Sequence, residues 1–276
     1  MALLRPRLTF AALLLAGTVA LAPLGLRADE VVVRADIAAA VAAPTRTPAN
    51  TVRDKYRHPA ETLSFFGVTG KQTTLEYEPD SGWYLEILAP LATKDGGHYL
   101  GAQPGARGQQ AVTAKLASNP AYAAGKMVPW PVGDTVKPGS VDTILTFRNI
   151  HNQYMGEDGG DPPALFREFF RLLKPGGVLG IVDHRLPEGA PASREGRSGY
   201  LKVSTVKKLA QDAGFIFEAS SEINANPKDT ADWPGGVWTL PPTLSQRDKD
   251  RDKYLAIGES DRMTLRFRKP KWPAAR

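Results

Sequence analysis

The 276-residue chain contains no cysteine. That single absence excludes disulfides, thiolate metal centres, thiol nucleophiles and lipid anchoring through a cysteine. Stability must come from a packed core, and the length suffices for one large α/β domain or two small ones. Histidine is scarce as well: the four in the chain, His58, His98, His151 and His184, show no HxH or HExxH spacing, so no metal centre is expected. Charge of one sign is also in short supply. The formal net charge is +6, and it falls to +3 once Arg5, Arg7 and Arg27, all ahead of the first acid at Asp29, are set aside. So small a surplus argues for no nucleic-acid partner. The locally basic run from Arg262 to Arg276 reads as solvated, with 271–276 a basic tail. No internal repeat is present.

Between Leu8 and Leu24 the sequence lacks charge altogether. This apolar run follows Arg5 and Arg7 and reaches Leu26-Arg27-Ala28 ahead of Asp29-Glu30, the pattern of a secretory signal over 1–28 cut after Ala28. The competing reading is an uncleaved membrane anchor, since the run is close to the lower length of a spanning helix. Pro23, Gly25 and a small residue at the cut favour cleavage, and with it a periplasmic or secreted protein with no membrane attachment afterwards. Pro6 separates the two arginines, so a twin-arginine signal is not expected.

Residues 29–70 read as an N-terminal helical lid: Val31 to Ala43 is rich in alanine and valine, and Asn50 to Phe66 interleaves charges with Val52, Tyr56, Leu63 and Phe66. From Thr73 onward strand-like and helix-like segments alternate, which predicts a mostly parallel sheet covered on both faces. The helix after Asp161 is sharply bounded. It has an acid at the N-cap, prolines where no N–H is needed, apolar residues at Leu165, Phe166, Phe169, Leu172 and Leu173, and a stop at Lys174-Pro175-Gly176-Gly177. Met263 to Phe267 alternates apolar and polar residues, as an antiparallel edge strand does. The Pro-, Gly- and charge-rich stretch from Glu222 to Ser260 is too long for an ordinary loop, and reads either as a substrate-facing flap or as an insertion without fixed structure.

The most informative segment is LEYEPDSGWYLEILAPL, Leu75 to Leu91. A β-prone run from Thr73 to Tyr77 ends beside carboxylates, and apolar residues at Tyr84, Ile87, Leu88 and Leu91 mark one helical face. The loop between them, Glu78 to Gly82, stands where a nucleotide-cofactor fold has glycines, because the backbone turns sharply and the ligand approaches its N–H groups. Only Gly82 remains; Glu78 and Asp80 occupy the other two positions. Together with VDTILTFRNIHNQY, PPALFREFFRLLKPGGVLGIVDHR and SDRMTLRFRKP, this segment resembles a family of exported class I S-adenosylmethionine-dependent methyltransferases, here with a degenerate glycine loop. The resemblance runs from Val52 to Pro270. It implies a Rossmann-like seven-stranded sheet over 71–270, helices on both faces, the last strand antiparallel, and cofactor and substrate over the carboxyl ends of the strands.

By that resemblance S-adenosylmethionine would contact Glu76 at the end of the first strand, Glu78, Asp80, Gly82 and Trp83 in the loop, Gln103 where an acid usually grips the ribose hydroxyls, Asp134 near the adenine amino group, and Phe147 at the end of the fourth strand. Gln103 offers a weaker acceptor than a carboxylate, and Glu78 and Asp80 bring negative charge towards the cofactor's own carboxylate. Trp83 stacks on a ligand or joins the core; Tyr84, at helical spacing, is expected in the core. His151, with Asn149 beside it, is the candidate general base on a small-molecule acceptor, or else a strand-end cap. Asp183-His184-Arg185 lines the acceptor pocket or simply ends a buried strand. His58 and His98 are expected to be structural. Ser81 lacks the G-x-S-x-G frame of a hydrolase elbow. The alternative to a methyltransferase is a non-catalytic protein that binds a ligand or partner on the same scaffold.

Overall fold

The computed structural model describes residues 31–155 and 160–271. The signal read over 1–28 and residues 272–276 of the basic tail lie outside the described residues. Among those described, no helix is long and apolar enough to cross a membrane.

Seven strands form one sheet in the order β3-β2-β1-β4-β5-β8-β7. They are β1 (Thr73–Tyr77), β2 (His98–Gln103), β3 (Gly125–Pro129), β4 (Val141–Phe147), β5 (Leu173–Leu186), β7 (Ile216–Ser221) and β8 (Arg262–Arg268). A two-residue strand, β6 (Leu201–Lys202), pairs with the far end of β5. β1 to β5 run parallel, and β8 runs antiparallel to both β5 and β7. The final strand is therefore antiparallel but not an edge strand: β8 is inserted between β5 and β7, and β7 takes the rim. Burial explains the difference. Met263, Leu265 and Phe267 are buried, and so are Arg262 and Thr264 on the opposite face, so the alternation that suggested a half-solvated edge conceals polar residues held in the interior.

Successive side chains of the parallel strands feed opposite layers. Ile144 of β4 joins Leu75, Tyr77 and Ile181 in a core under α7 (Pro162–Leu172) and α8 (Val203–Asp212). Leu145 and Phe147 join the core under α5 (Leu85–Asp95) and the N-terminal helices. α7 starts as its sequence predicts: Asp161 Oδ1 accepts from Ala164 N at 2.8 Å, with Pro162 at the first position. The LKPGG run after it forms a bulge rather than a plain turn. β5 pairs with β4 at Leu173, loses register, and pairs again from Val178, while Gly176 takes φ 81°.

The helical character read in the N-terminal region is present as four short helices: α1 (Ala35–Val41), α2 (Pro48–Thr51), α3 (Asp54–Arg57) and α4 (Pro59–Phe65). They are fastened to the start of α5. Glu86, fully buried, accepts from Thr47 N and Asn50 Nδ2 at 3.0 Å each, and also from the Thr47 hydroxyl and Lys115. The stretch from Glu222 to Ser260 is ordered. Asp229, buried, accepts from Tyr200 Oη, Trp233 Nε1, Ala231 N and Asp261 N, and α9 (Arg251–Ile257) leads back into β8.

Candidate functional site

Carboxyl ends of parallel strands diverge at the point where strand order reverses, here between β1 and β4. Over β4 and β5 lies a cavity of about 300 Å³, framed by Arg148, His151, His184, Trp238 and Glu259. Its floor comes from the residues after β4 and from His184 of β5. Arg53 and Arg57 enter from the N-terminal helical region, and the roof is Val237 to Thr243 together with Ser260. The Glu222 to Ser260 stretch thus has fixed structure and supplies part of the cavity wall. Asp80 lines the cavity from the β1–α5 loop.

The loop itself is the sharpest result. Glu78, Asp80 and Gly82 have φ of 52°, 50° and 78°, so all three positions adopt the left-handed conformation that favours glycine. A non-glycine residue held there is strained by roughly 1–3 kcal/mol. All three positions thus take a backbone conformation that glycine adopts most easily, and two of them carry acids instead. Burial pushes the Glu78 carboxyl up, opposed by hydrogen bonds from Tyr77 and Asn152. Desolvation at the cavity rim raises Asp80, against the pull of Arg148.

Neighbouring side chains close the loop from both sides. Gln103 Oε1 accepts from Asp80 N at 3.1 Å, and Asn149 Nδ2 donates to Tyr77 O at 3.1 Å and Glu78 O at 3.0 Å. Gln103 thus braces the loop in this conformation. Glu76, behind it, is buried and accepts from Tyr99 Oη at 2.6 Å; burial pushes its carboxyl up to about 8. Gly82 is buried against Lys115 and Leu85. Trp83 is core: its Nε1 donates to Asn50 O at 3.0 Å, and the guanidiniums of Arg46 and Arg57 lie 5.1 and 4.9 Å from its ring. Phe147 is buried and stacks on Tyr84, centroids 3.5 Å apart and planes at 11°. Asp134 is exposed, on a 3-10 turn beside Arg171, and is not among the residues lining this cavity. Of the predicted set, the cavity brings together Asp80, Asn149 and His151.

His151 is held by Asp183 through both its ring and its backbone. Its Nδ1 lies 2.8 Å from Asp183 Oδ1 and its backbone N–H donates to Asp183 Oδ2 at 3.1 Å, leaving Nε2 as its free nitrogen. Asp183, completely buried, also accepts from His184 N at 2.7 Å. His184 lies against His151, ring centroids 4.9 Å apart, with Nδ1 2.5 Å from Ser260 Oγ. Burial pushes His184 well below the usual imidazole range, and His151 and Arg148 add to the effect. Ligand atoms of His151, Asp183 and His184 lie within 4.8 Å of one another, a spacing that a metal could use. Both Asp183 oxygens are already engaged, however, and three arginines line the same cavity, so the set suits proton transfer better than metal binding.

Sequence reading missed Arg53, Arg57, Trp238, Glu259 and Ser260. The four-residue spacing of Arg53 and Arg57 is the one signal in the sequence that could have flagged a shared face.

No protein-family model matches the chain. Among curated proteins it is similar to a phosphoethanolamine N-methyltransferase of Triticum aestivum, 34% identical over 110 residues, which are 37% of this chain and 20% of that protein. The chain thus spans no more than a fifth of the length of the first curated relatives it matches. A SAM dependent methyltransferase from Aquifex aeolicus superposes with TM-score 0.55 at 15% identity, over 81% of this chain and 94% of that one. The fold is that of the class I S-adenosylmethionine-dependent methyltransferases. Haemonchus contortus phosphoethanolamine N-methyltransferase 2, solved in complex with S-adenosyl-L-methionine, shares it at TM-score 0.51 and 16% identity, over 76% of this chain and 51% of that one.

Proposed function

We propose that this chain is an S-adenosylmethionine-dependent methyltransferase acting on a small acceptor held in the cavity over β4 and β5. The observation that carries the reading is the left-handed backbone at Glu78, Asp80 and Gly82. Strain kept at two alternate positions of one loop, Glu78 and Asp80, is an expense that function explains and stability does not. The residues present fit the cofactor's methionine end. The loop turns through left-handed backbone at three positions, and desolvation raises both the Glu78 and the Asp80 carboxyl. When bound, the cofactor supplies an electrophilic methyl group. The chain supplies the rest: Asp183 fixes the His151 ring, His151 Nε2 accepts the proton of an acceptor hydroxyl or amine, and the roof residues Trp238, Pro241 and Pro242 exclude water. In the same reading, the apolar leader carries the protein to the periplasm.

A second reading, a ligand-binding protein on this scaffold, is favoured by Gln103, which occupies the Asp80 N–H that a cofactor would approach. Isothermal titration separates the two, with S-adenosylmethionine and S-adenosylhomocysteine run against the protein and its Glu78→Gly, Asp80→Gly variant. Micromolar binding by the unmodified protein is expected. Binding by the variant alone favours the second reading, and binding by neither overturns the first. The variant should also melt higher, by roughly 1 kcal/mol per relieved position or about 2–4 °C each.

A further inference from the structure

Three arginines, Arg53, Arg57 and Arg148, line the cavity against two acids, Asp80 and Glu259. Arg53 Nε lies 2.7 Å from Glu259 Oε1, while Arg57 Nε and Arg262 Nη1 lie 3.1 and 3.2 Å from Glu259 Oε2. Three guanidiniums, brought from the N-terminal helices and from β8, thus converge on one carboxylate. Arg53 Nη2 is buried with no hydrogen-bond partner. A fourth arginine, Arg148, lines the cavity from the end of β4, and its guanidinium makes no hydrogen bond or ion pair with any described residue; only its backbone N–H is engaged, to Val182 O at 2.7 Å.

None of the other charged and titratable groups facing the cavity pairs with the Arg148 guanidinium among the described residues. Asp183 is committed to His151 and to two backbone N–H groups. His184 is held neutral by burial and by His151. Asp80, at the rim, gives its carboxylate to no arginine in an ion pair. The Arg148 guanidinium is half-buried and opens onto the cavity, and a guanidinium fork presents paired donors that match the two oxygens of an oxyanion.

We propose that Arg148, Arg53 and Arg57 form an anion subsite, which anchors a small ligand by a carboxylate or phosphate group and leaves its other end beside His151 and His184. The proposal deepens the methyltransferase reading by naming the acceptor as an oxyanion-bearing small molecule, and its acceptor role rests on that reading. A cavity of about 300 Å³ suits a metabolite-sized ligand and is at the small end for binding pockets.

The test uses the full chain in low-salt buffer free of phosphate and carboxylate. Inorganic phosphate and acetate are titrated separately, by calorimetry and by thermal melting, into the wild-type protein and into Arg148→Met. At least one probe should bind saturably and raise the melting temperature, and Arg148→Met should weaken that binding tenfold or more without lowering the ligand-free melting temperature, since its guanidinium has no protein partner to lose. Response to phosphate alone assigns a phosphate ester, and response to acetate alone a carboxylate. Absence of saturable binding by either probe overturns the proposal, as does unchanged affinity in Arg148→Met. If that variant does not fold, Arg53→Met is judged by its anion affinity alone, because it also gives up the ion pair with Glu259. S-adenosylmethionine titrated into the same preparation keeps the two claims apart. Anion binding without cofactor binding leaves the subsite and removes its acceptor role, and cofactor binding without anion binding does the reverse.

Discussion

Glu76 shows how the interior beneath the loop sets a residue's protonation. Its side chain is 3% exposed, its hydrogen-bond donor is the Tyr99 hydroxyl, and burial raises its carboxyl to about 8 from an ordinary 4.5. The folded protein therefore retains a proton that the unfolded chain releases near 4.5. Between there and about 8 the native state binds more protons, so this group's contribution to stability is full below 4.5 and declines as pH rises to about 8. The loss amounts to several kcal/mol in order of magnitude. Glu76→Gln, which mimics the neutral acid, should flatten that slope. Urea unfolding at a series of pH values from 5 to 9 in both proteins would check it, and equal slopes would show that another group is responsible.

At the scale of elements, one side chain ties together the exits of β1 and β4, strands already paired along their backbones. Asn149 donates both of its amide hydrogens, to the carbonyls of Tyr77 and Glu78, so it fixes the exit of β1 against the exit of β4 at the reversal of strand order. Asn149→Ala would leave those carbonyls without their partner, at a cost of roughly 1–3 kcal/mol, and should speed amide exchange at Asp80, whose N–H is tied to Gln103. An unchanged exchange rate at Asp80 would mean that Gln103 holds the loop alone. Elements such as these were largely legible in the sequence. The α7 cap, the apolar spacing of α5 and the LKPGG break come from local chemistry that any reader of residues can see. The strand-to-helix loop was legible as well, but its backbone angles were not, because glutamate and aspartate do not announce a left-handed φ. Nor was the inner position of β8 legible, since its polar face is buried only through pairing with β7 and through the N-terminal helices.

The molecule as a whole is closed around Glu259. Arg53 and Arg57 lie 206 and 202 residues away in sequence from this acid, which is why their local spacing does not reveal the acid they share. Burial raises the Glu259 carboxyl, but Arg57, Arg262 and Arg53 prevail and hold it down at about 2. Its folded value lies below the unfolded 4.5, so its contribution to stability is present above about 4.5 and is lost as pH falls towards 2. Glu259→Gln removes the shared partner of three guanidiniums and unlatches the N-terminal helices from β8. The expected loss is about 3–5 kcal/mol, the size found when one member of a buried ion pair is deleted. It should be largest in dilute buffer of weakly binding ions. Because the variant exposes the same guanidiniums to a vacant centre, phosphate or acetate should restore part of the loss, and restore more than it adds to the wild type. A melting series of both proteins against each anion would read this directly. Equal stabilisation of the two proteins would mean that the arginines are latched by Glu259 alone and have no capacity to hold a ligand.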